Sequence, residues 1–238
     1  MCARYTQIRD LRAILALVQC RGTLPAWMPR YNIAPQQEAP VIVRSGKEVE
    51  IKNMRWGLMP SWSGNSGSGS LIINARAETL TQKSAFRRLV AGRRCLVPAD
   101  GFYEWEDTGE GKKPWRFSLQ DDAQFCFAGL WDVSVLQPSR QADLFPATDT
   151  QEKPLETFVI ITTAANELIS PVHDRMPVII CGEAMVRWLE PTTALDDLQD
   201  LLRPYPAEAM VRRPASRRVN RPGNEGPECL MPDEPKLF

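Results

Sequence analysis

The chain has 238 residues, 43% hydrophobic and 24% charged, with 29 Lys and Arg balanced by 29 Asp and Glu. This length suits one large domain or two small ones with a proper core. Zero formal net charge argues against bulk electrostatic binding of duplex DNA while leaving room for a local basic groove. No run reaches the roughly 18 apolar residues of a membrane span and nothing reads as a signal peptide, so a cytoplasmic protein without membrane partners is expected. The six cysteines form no CxxC pair and the chain has a single histidine. No metal site, no cofactor and, in a reducing compartment, no disulfide is expected.

In chain order, the first stretch after MCARY predicts a helix over about Gln7 to Cys20 with one buried face. PVIVR and VEIKNMRWGL flank SGKE, the pattern of a hairpin. SGNSGSGS, residues 63–70, reads as a mobile loop between WGLMPSW and LIINARAET. RRCLVPADGFYEWE, KPWRFSLQ and QFCFAGLWD give three strands, with TGEGKK as the turn between the first two. A polar insertion follows over about 137–154, then TFVIITTAA and MPVIIC as further strands, and GEAMVRWLE and ALDDLQDLLR as helices. Residues 214–238, rich in proline and arginine, read as an extended tail. Helices do not alternate with the strands. The pattern therefore predicts a single α+β domain over 1–238, built on a mainly antiparallel, curved or barrel-like sheet with flanking helices.

Few residues suit chemistry. Cys2 follows the initiator methionine, and its small side chain permits removal of Met1, which would put a free α-amine and a thiol on adjacent carbons. His173, in SPVHDRMP, stands between two prolines beside Asp174 and Arg175. A lone histidine is more often structural, but loops on rigid scaffolds carry function disproportionately. Glu104 in GFYEWE alternates with Tyr103 and Trp105 and shares a face with Phe102. On the residues alone, that face is either buried, which would raise the carboxyl's pKa, or open to solvent. Asn74 and Arg76 in INARAET share a face if extended, and read either as an ordinary surface pair or as a hydrogen-bonding group beside a phosphate-binding one. Trp56 and Trp62 are either core residues or stacking platforms for unpaired bases.

Together MCARY, RYNIAPQQ, MRWGLMPSW, INARAETL, RRCLVPADGFYEWE, KPWRF, FAGLWD, FVIITTAAN and HDRMPVII resemble, in order, the motifs of the SRAP family, named for an SOS-response-associated peptidase. The motif-bearing core is 1–181, with a weaker match toward the C-terminus. The resemblance implies an α+β barrel-like domain with a basic groove for single-stranded DNA. It also implies a stable thiazolidine crosslink between the mature N-terminal cysteine and the aldehyde of an abasic site, which shields the lesion. It assigns Cys2 as nucleophile and Asn74, Glu104 and His173 as the other active-site residues. Arg4, Arg76, Arg175, Trp62 and Thr162 fall at DNA-contacting positions. Ser84 departs from the family, some members of which carry a phosphate-contacting arginine there; Lys83, Arg87 and Arg88 stand nearby.

Two other readings stand beside this one: a cysteine-type (auto)peptidase or N-terminal-nucleophile amidase with Cys2 and His173, and a non-covalent single-strand-binding module. The SRAP reading itself carries autopeptidase (hydrolase) and lyase activity as further expectations, crosslinking being stoichiometric. Nothing suggests an obligate dimer, and a monomer is expected.

Overall fold

Alternating apolar residues along two runs separated by Gly46 pair them as the longest hairpin of the fold, β3 (Glu38–Ser45) and β4 (Glu48–Trp56), in register from Glu38↔Arg55 to Ser45↔Glu48. The turn needs a left-handed residue, and Gly46 supplies it at φ 60°. The computed structural model describes residues 2–21, 27–59, 71–135 and 154–233. Before the hairpin lie β1 (Tyr5–Gln7), α1 (Arg12–Leu17) and β2 (Arg30–Ile33). After it come β5 (Asn74–Arg76), α2 (Ser84–Gly92), β6 (Arg94–Ala99), β7 (Gly101–Asp107), β8 (Lys112–Leu119) and β9 (Phe125–Val135). The chain continues with β10 (Pro154–Ala164), β11 (Arg175–Pro177), β12 (Ile179–Ile180), α3 (Ala184–Leu189) and β13 (Met210–Pro214).

Five of these strands close on themselves. β4 pairs with β3, β3 with β6, β6 with β9 and β9 with β10, all antiparallel; β10 returns to β4 in parallel, Thr157 opposite Arg55. Closure removes the open edges of these strands. β5 and β11 add to β10, and β12 to β9. A second sheet, in the order β13-β8-β7-β1-β2, packs on this barrel. Barrel strands are apolar on both sides. Ile42, Leu96, Ala128 and Val159 join the core under the three helices, while their neighbours Val41, Val43, Cys95, Val97, Phe127 and Phe158 join Tyr5, Phe102 and Phe117 of the second sheet. This α+β architecture with a barrel-like core and few helices agrees with the expectation. Among the described residues no helix is long and apolar enough to cross a membrane.

Several element bounds differ from those read in the sequence. The first helix is only Arg12–Leu17, because residues 5–7 are drawn into β1 by non-local pairing with β2 and β7. The Asp10 carboxylate, accepting from Arg12 N at 2.8 Å, sets its start. RRCLVPADGFYEWE is two strands in different sheets, divided at Asp100. MPVIIC divides at Val178, which bridges Ile161 and Ala128 through its own N–H and C=O. ALDDLQDLLR is a 3-10 segment, Asp196–Leu202. Within the described part of the C-terminal segment, up to residue 233, the chain forms two 3-10 turns, Arg217–Asn220 and Pro227–Cys229, where an extended run was expected; Ala215, Val219 and Cys229 are buried against Tyr103. The loop of residues 63–70 and the insertion near 137–153 lie outside the described residues.

Gly129 sits where three barrel strands meet, opposite Cys95 on β6 and Ile160 on β10. A Cβ there would lie 2.8 Å from Cys95 Sγ and 3.0 Å from the Val159 carbonyl oxygen. Gly129→Ala is expected to destabilise the fold by about 1–3 kcal/mol through overpacking, read as a lower denaturation midpoint at unchanged m-value.

Candidate active site

The N-terminal segment is held against β7. Tyr5 faces Phe102 across the β1–β7 ladder, and Tyr103 N donates to the Arg4 carbonyl at 3.0 Å. Cys2 is fully buried in the apolar cluster that includes Phe102, Ile160, Ile169 and Met176. Asn74, the first residue of β5, donates from Nδ2 to the Cys2 carbonyl at 2.8 Å. Asn74 Oδ1 is buried and accepts no hydrogen bond among the described residues, so it remains an acceptor pointed into the same region. Burial pushes the Cys2 thiol well above its ordinary pKa, and the charge of Glu104 pushes it further. Glu104 itself is 3% exposed. Desolvation raises its pKa from the ordinary 4.5 to about 7. The face shared by Phe102 and Glu104 is thus buried, as is Tyr103 on the opposite face.

His173 ends a turn fixed by Asn166, whose Oδ1 accepts from Ile169 N at 3.1 Å; the Ile169 carbonyl in turn accepts from His173 N at 3.0 Å. Its Nδ1 accepts the Arg175 backbone N–H at 2.9 Å and lies 3.0 Å from Asp174 Oδ1. The two contacts demand opposite protonation of Nδ1. The backbone group can only donate, Asp174 is 83% exposed where ion pairs are weak, and burial lowers the imidazole pKa. We therefore assign the neutral ring with its proton on Nε2.

Arg76, Thr162 and Arg175 stand on the adjacent strands β5, β10 and β11, with Thr162 opposite Arg76 on one side and Pro177 on the other. Arg175 forms a two-pronged bond to Glu78 at 2.7 and 2.9 Å and donates to the Thr162 carbonyl at 2.7 Å. Arg4, half-buried, donates to the Ala3 carbonyl at 2.7 Å. The fold thus brings Cys2 and Asn74 into contact, sets Glu104 within electrostatic reach of Cys2, and groups Arg76, Thr162 and Arg175. Trp62 lies outside the described residues. Glu78 was not singled out in the sequence; its place two residues after Arg76 in the INARAET motif is the signal that pointed to it. Among the described residues no group of three His, Cys, Asp or Glu side chains is arranged to hold a metal.

The family model of the SOS response associated peptidase (SRAP) matches residues 1–222. The chain belongs to the SRAP family. It is 39% identical over 235 residues to the abasic site processing protein YoqW of Bacillus subtilis (strain 168), covering 97% of this chain and 99% of that one. It is 34% identical to the abasic site processing protein HMCES of Gallus gallus, over 91% of this chain and 71% of the relative. A crystal structure of a Bacteroides thetaiotaomicron protein shares the SRAP fold seen here at TM-score 0.80 and 24% identity, covering 98% of this chain and all of that one. A Bordetella bronchiseptica protein superposes at TM-score 0.71 with 26% identity, over 90% of this chain and all of that one.

The Arg175 hydrogen bonds hold the Glu78 carboxyl below its usual range. Its contribution to stability is therefore present above the unfolded value of about 4.3 and is lost as pH falls through the lower folded value. With Glu78 half exposed, Glu78→Gln should cost at most about 1 kcal/mol at pH 7. Chemical denaturation should show that difference vanishing near pH 2.

Proposed function

We propose that this SRAP protein processes abasic sites in DNA, and that it does so by capturing the ring-opened sugar aldehyde in single-stranded DNA through the mature N-terminal Cys2. The observation that carries this reading is the Asn74 bond to the Cys2 carbonyl, which holds residue 2 beside a buried carboxyl that titrates near neutrality. Support for the abasic-site substrate comes from the printed names of the relatives. Arg76 is exposed and suited to the phosphates of the strand; Arg175, two strands away, is paired with Glu78, and Thr162 between them is buried.

Once Met1 is removed, Cys2 carries the α-amine. An α-amine with pKa near 8 is about one-tenth neutral at pH 7, against well under a thousandth for a lysine near 10.4. The neutral amine adds to the aldehyde carbon; the carbinolamine loses water to give an imine. The thiol sulfur then bonds to the imine carbon, and its proton passes to the nitrogen, closing a five-membered thiazolidine. Closure within one residue carries an effective molarity of about 10⁵ M or more. Glu104, near half-ionised at pH 7, takes a proton from the α-ammonium and returns one to the departing hydroxyl. His173 exchanges a proton with the sugar hydroxyl through Nε2. Asn74 fixes Cys2. The raised thiol pKa weighs against the peptidase and amidase reading, which needs a thiolate as first nucleophile.

The test is incubation with a single-stranded oligonucleotide bearing one abasic site, followed by a denaturing gel and mass spectrometry. A heat-stable adduct at mature Cys2, absent with undamaged DNA and with Cys2→Ala, is the expected result. No adduct from a protein lacking Met1, or turnover of a peptide without DNA, would overturn the reading; equal binding of intact DNA by Cys2→Ala would point to plain strand binding. The capture rate should rise from pH 6 to 8 as Glu104 and the α-ammonium lose protons. Glu104→Gln should slow capture about 10²-fold.

The same substitution carries a stability prediction. A carboxyl whose pKa is raised on folding costs nothing below its unfolded value near 4.5, and the cost grows until pH passes about 7. Glu104→Gln should therefore stabilise the fold above pH 7, by up to about 3 kcal/mol, while leaving stability at pH 4 nearly unchanged. Denaturation at the two pH values measures it.

A further inference from the structure

Glu104 and Trp115 stand directly opposite each other in the β7–β8 ladder, and Trp115 stands opposite Pro214 of β13. Residues directly opposite in an antiparallel pair share a face, their Cβ atoms about 4.5–5.5 Å apart. The indole therefore occupies the flank of Glu104 toward β13, and it packs on the apolar cluster that holds Cys2, Phe102 and Phe117. Its Nε1–H donates to Glu106 Oε2 at 2.7 Å. The Arg212 guanidinium lies 3.8 Å from the ring centroid and Lys113 Nζ 4.5 Å. Arg212 also approaches Glu106 Oε2 at 3.8 Å, so the two groups that hold the ring hold each other. Three charged side chains thus fix one indole that the capture chemistry does not use.

We propose that Trp115 is a positioning residue for Glu104: clamped by Glu106, Arg212 and Lys113, its ring closes one flank of the carboxyl against water. The inference rests on the reading of Glu104 as the proton carrier and names what prepares it for that role. A carboxyl against a rigid indole loses hydration that a mobile ring would readmit. Titratable groups face Glu104 from three places: the N-terminal charge and the neutral Cys2 thiol from the N-terminal segment, Lys112 from β8 and Asp174 from the loop before β11. Glu106 lies on its own strand and Arg212 on β13. Burial outweighs the charges among these in setting the proton affinity of Glu104, which makes the wall that buries it the controlling element.

The full-length protein, labelled with carboxyl-¹³C glutamate, gives the direct readout: NMR titration of Glu104, its resonance identified by its loss in Glu104→Gln. Trp115→Ala should lower the midpoint by at least about one pH unit, a tenfold change in the ratio of protonated to ionised carboxyl at a fixed pH between the two midpoints. Trp115→Phe, which keeps a ring on the flank, should stay near the wild-type value. The pH profile of crosslinking should move with the titration, toward lower pH in Trp115→Ala. Should Trp115→Ala lack a cooperative thermal transition, Trp115→Thr, β-branched and suited to a strand, replaces it. A folded ring-less variant that titrates as wild type overturns the proposal. The titration needs no DNA, so a wild-type protein that captures no lesion would sink the proposed function while the Trp115 result still stands or falls by itself.

Discussion

The buried carboxylate of Asp100 is the constraint on which the rest depends. It sits at the joint where the chain leaves the barrel strand β6 and enters β7 of the second sheet. Its oxygens accept from Thr6 Oγ1 at 2.5 Å, from Arg9 N at 3.0 Å, from Ile8 N, and from Arg116 at 3.2 Å. One side chain thereby ties β1 to β7 and β7 to β8. Chain termini usually fray unless tied down, and this carboxylate ties down the first strand. Removing one partner of a buried ion pair costs about 3–5 kcal/mol, a scale sufficient to hold the first strand in place. Gly101 follows for steric reasons, since a Cβ would stand 2.5 Å from Arg116 Nε.

With the terminus fixed, the site runs against stability. A thiol and a carboxyl are held in apolar surroundings, where neither is most stable when charged. The surrounding sheet supplies the compensation: the aromatic contacts of Tyr5, Phe102 and Phe127, and the clamp on Trp115, lie on the same side of the second sheet as Glu104. Arg76 and Arg175 instead stand on β5 and β11, strands added to β10, where Glu78 and the Thr162 carbonyl hold the Arg175 guanidinium. Glu104 and the Arg76–Arg175 pair thus stand on different sheets, with residue 2 bonded to Asn74 of one and within electrostatic reach of Glu104 of the other.

Much of this was legible in the sequence because local pattern and final structure agree. The β3–β4 hairpin follows from its alternation and Gly46, and the motifs name Cys2, Asn74 and Glu104, which the fold brings together. What was not legible depends on partners far away in the chain. The start of the predicted first helix is lost to β1 because Tyr5 pairs with Ile33 of β2 on one side and Phe102 of β7 on the other. The break at Asp100 is hidden because β6 and the start of β7 are apolar on both faces, so no change of period marks the switch of sheets. Glu78 gains its meaning only from Arg175, and the arginine-rich C-terminal segment only from Tyr103 and from Glu225, which accepts from Tyr31 N and Arg30. Glu104 was ambiguous for the same reason: alternation defines its face, but what covers that face is Cys2 and the edge of another sheet.

The pairing of β1 with β7 joins residues about a hundred positions apart. Ribosomes add roughly 5–20 residues per second, so the first strand waits at least about 5 s for the strand that will cover it. Throughout that interval residue 2 lacks the β7 strand against which it is buried in the folded protein. Folding then shuts the interval by burying Cys2. The order of the strands along the chain therefore works as a timer: Cys2 stays accessible until β7, which also carries Glu104, has been made.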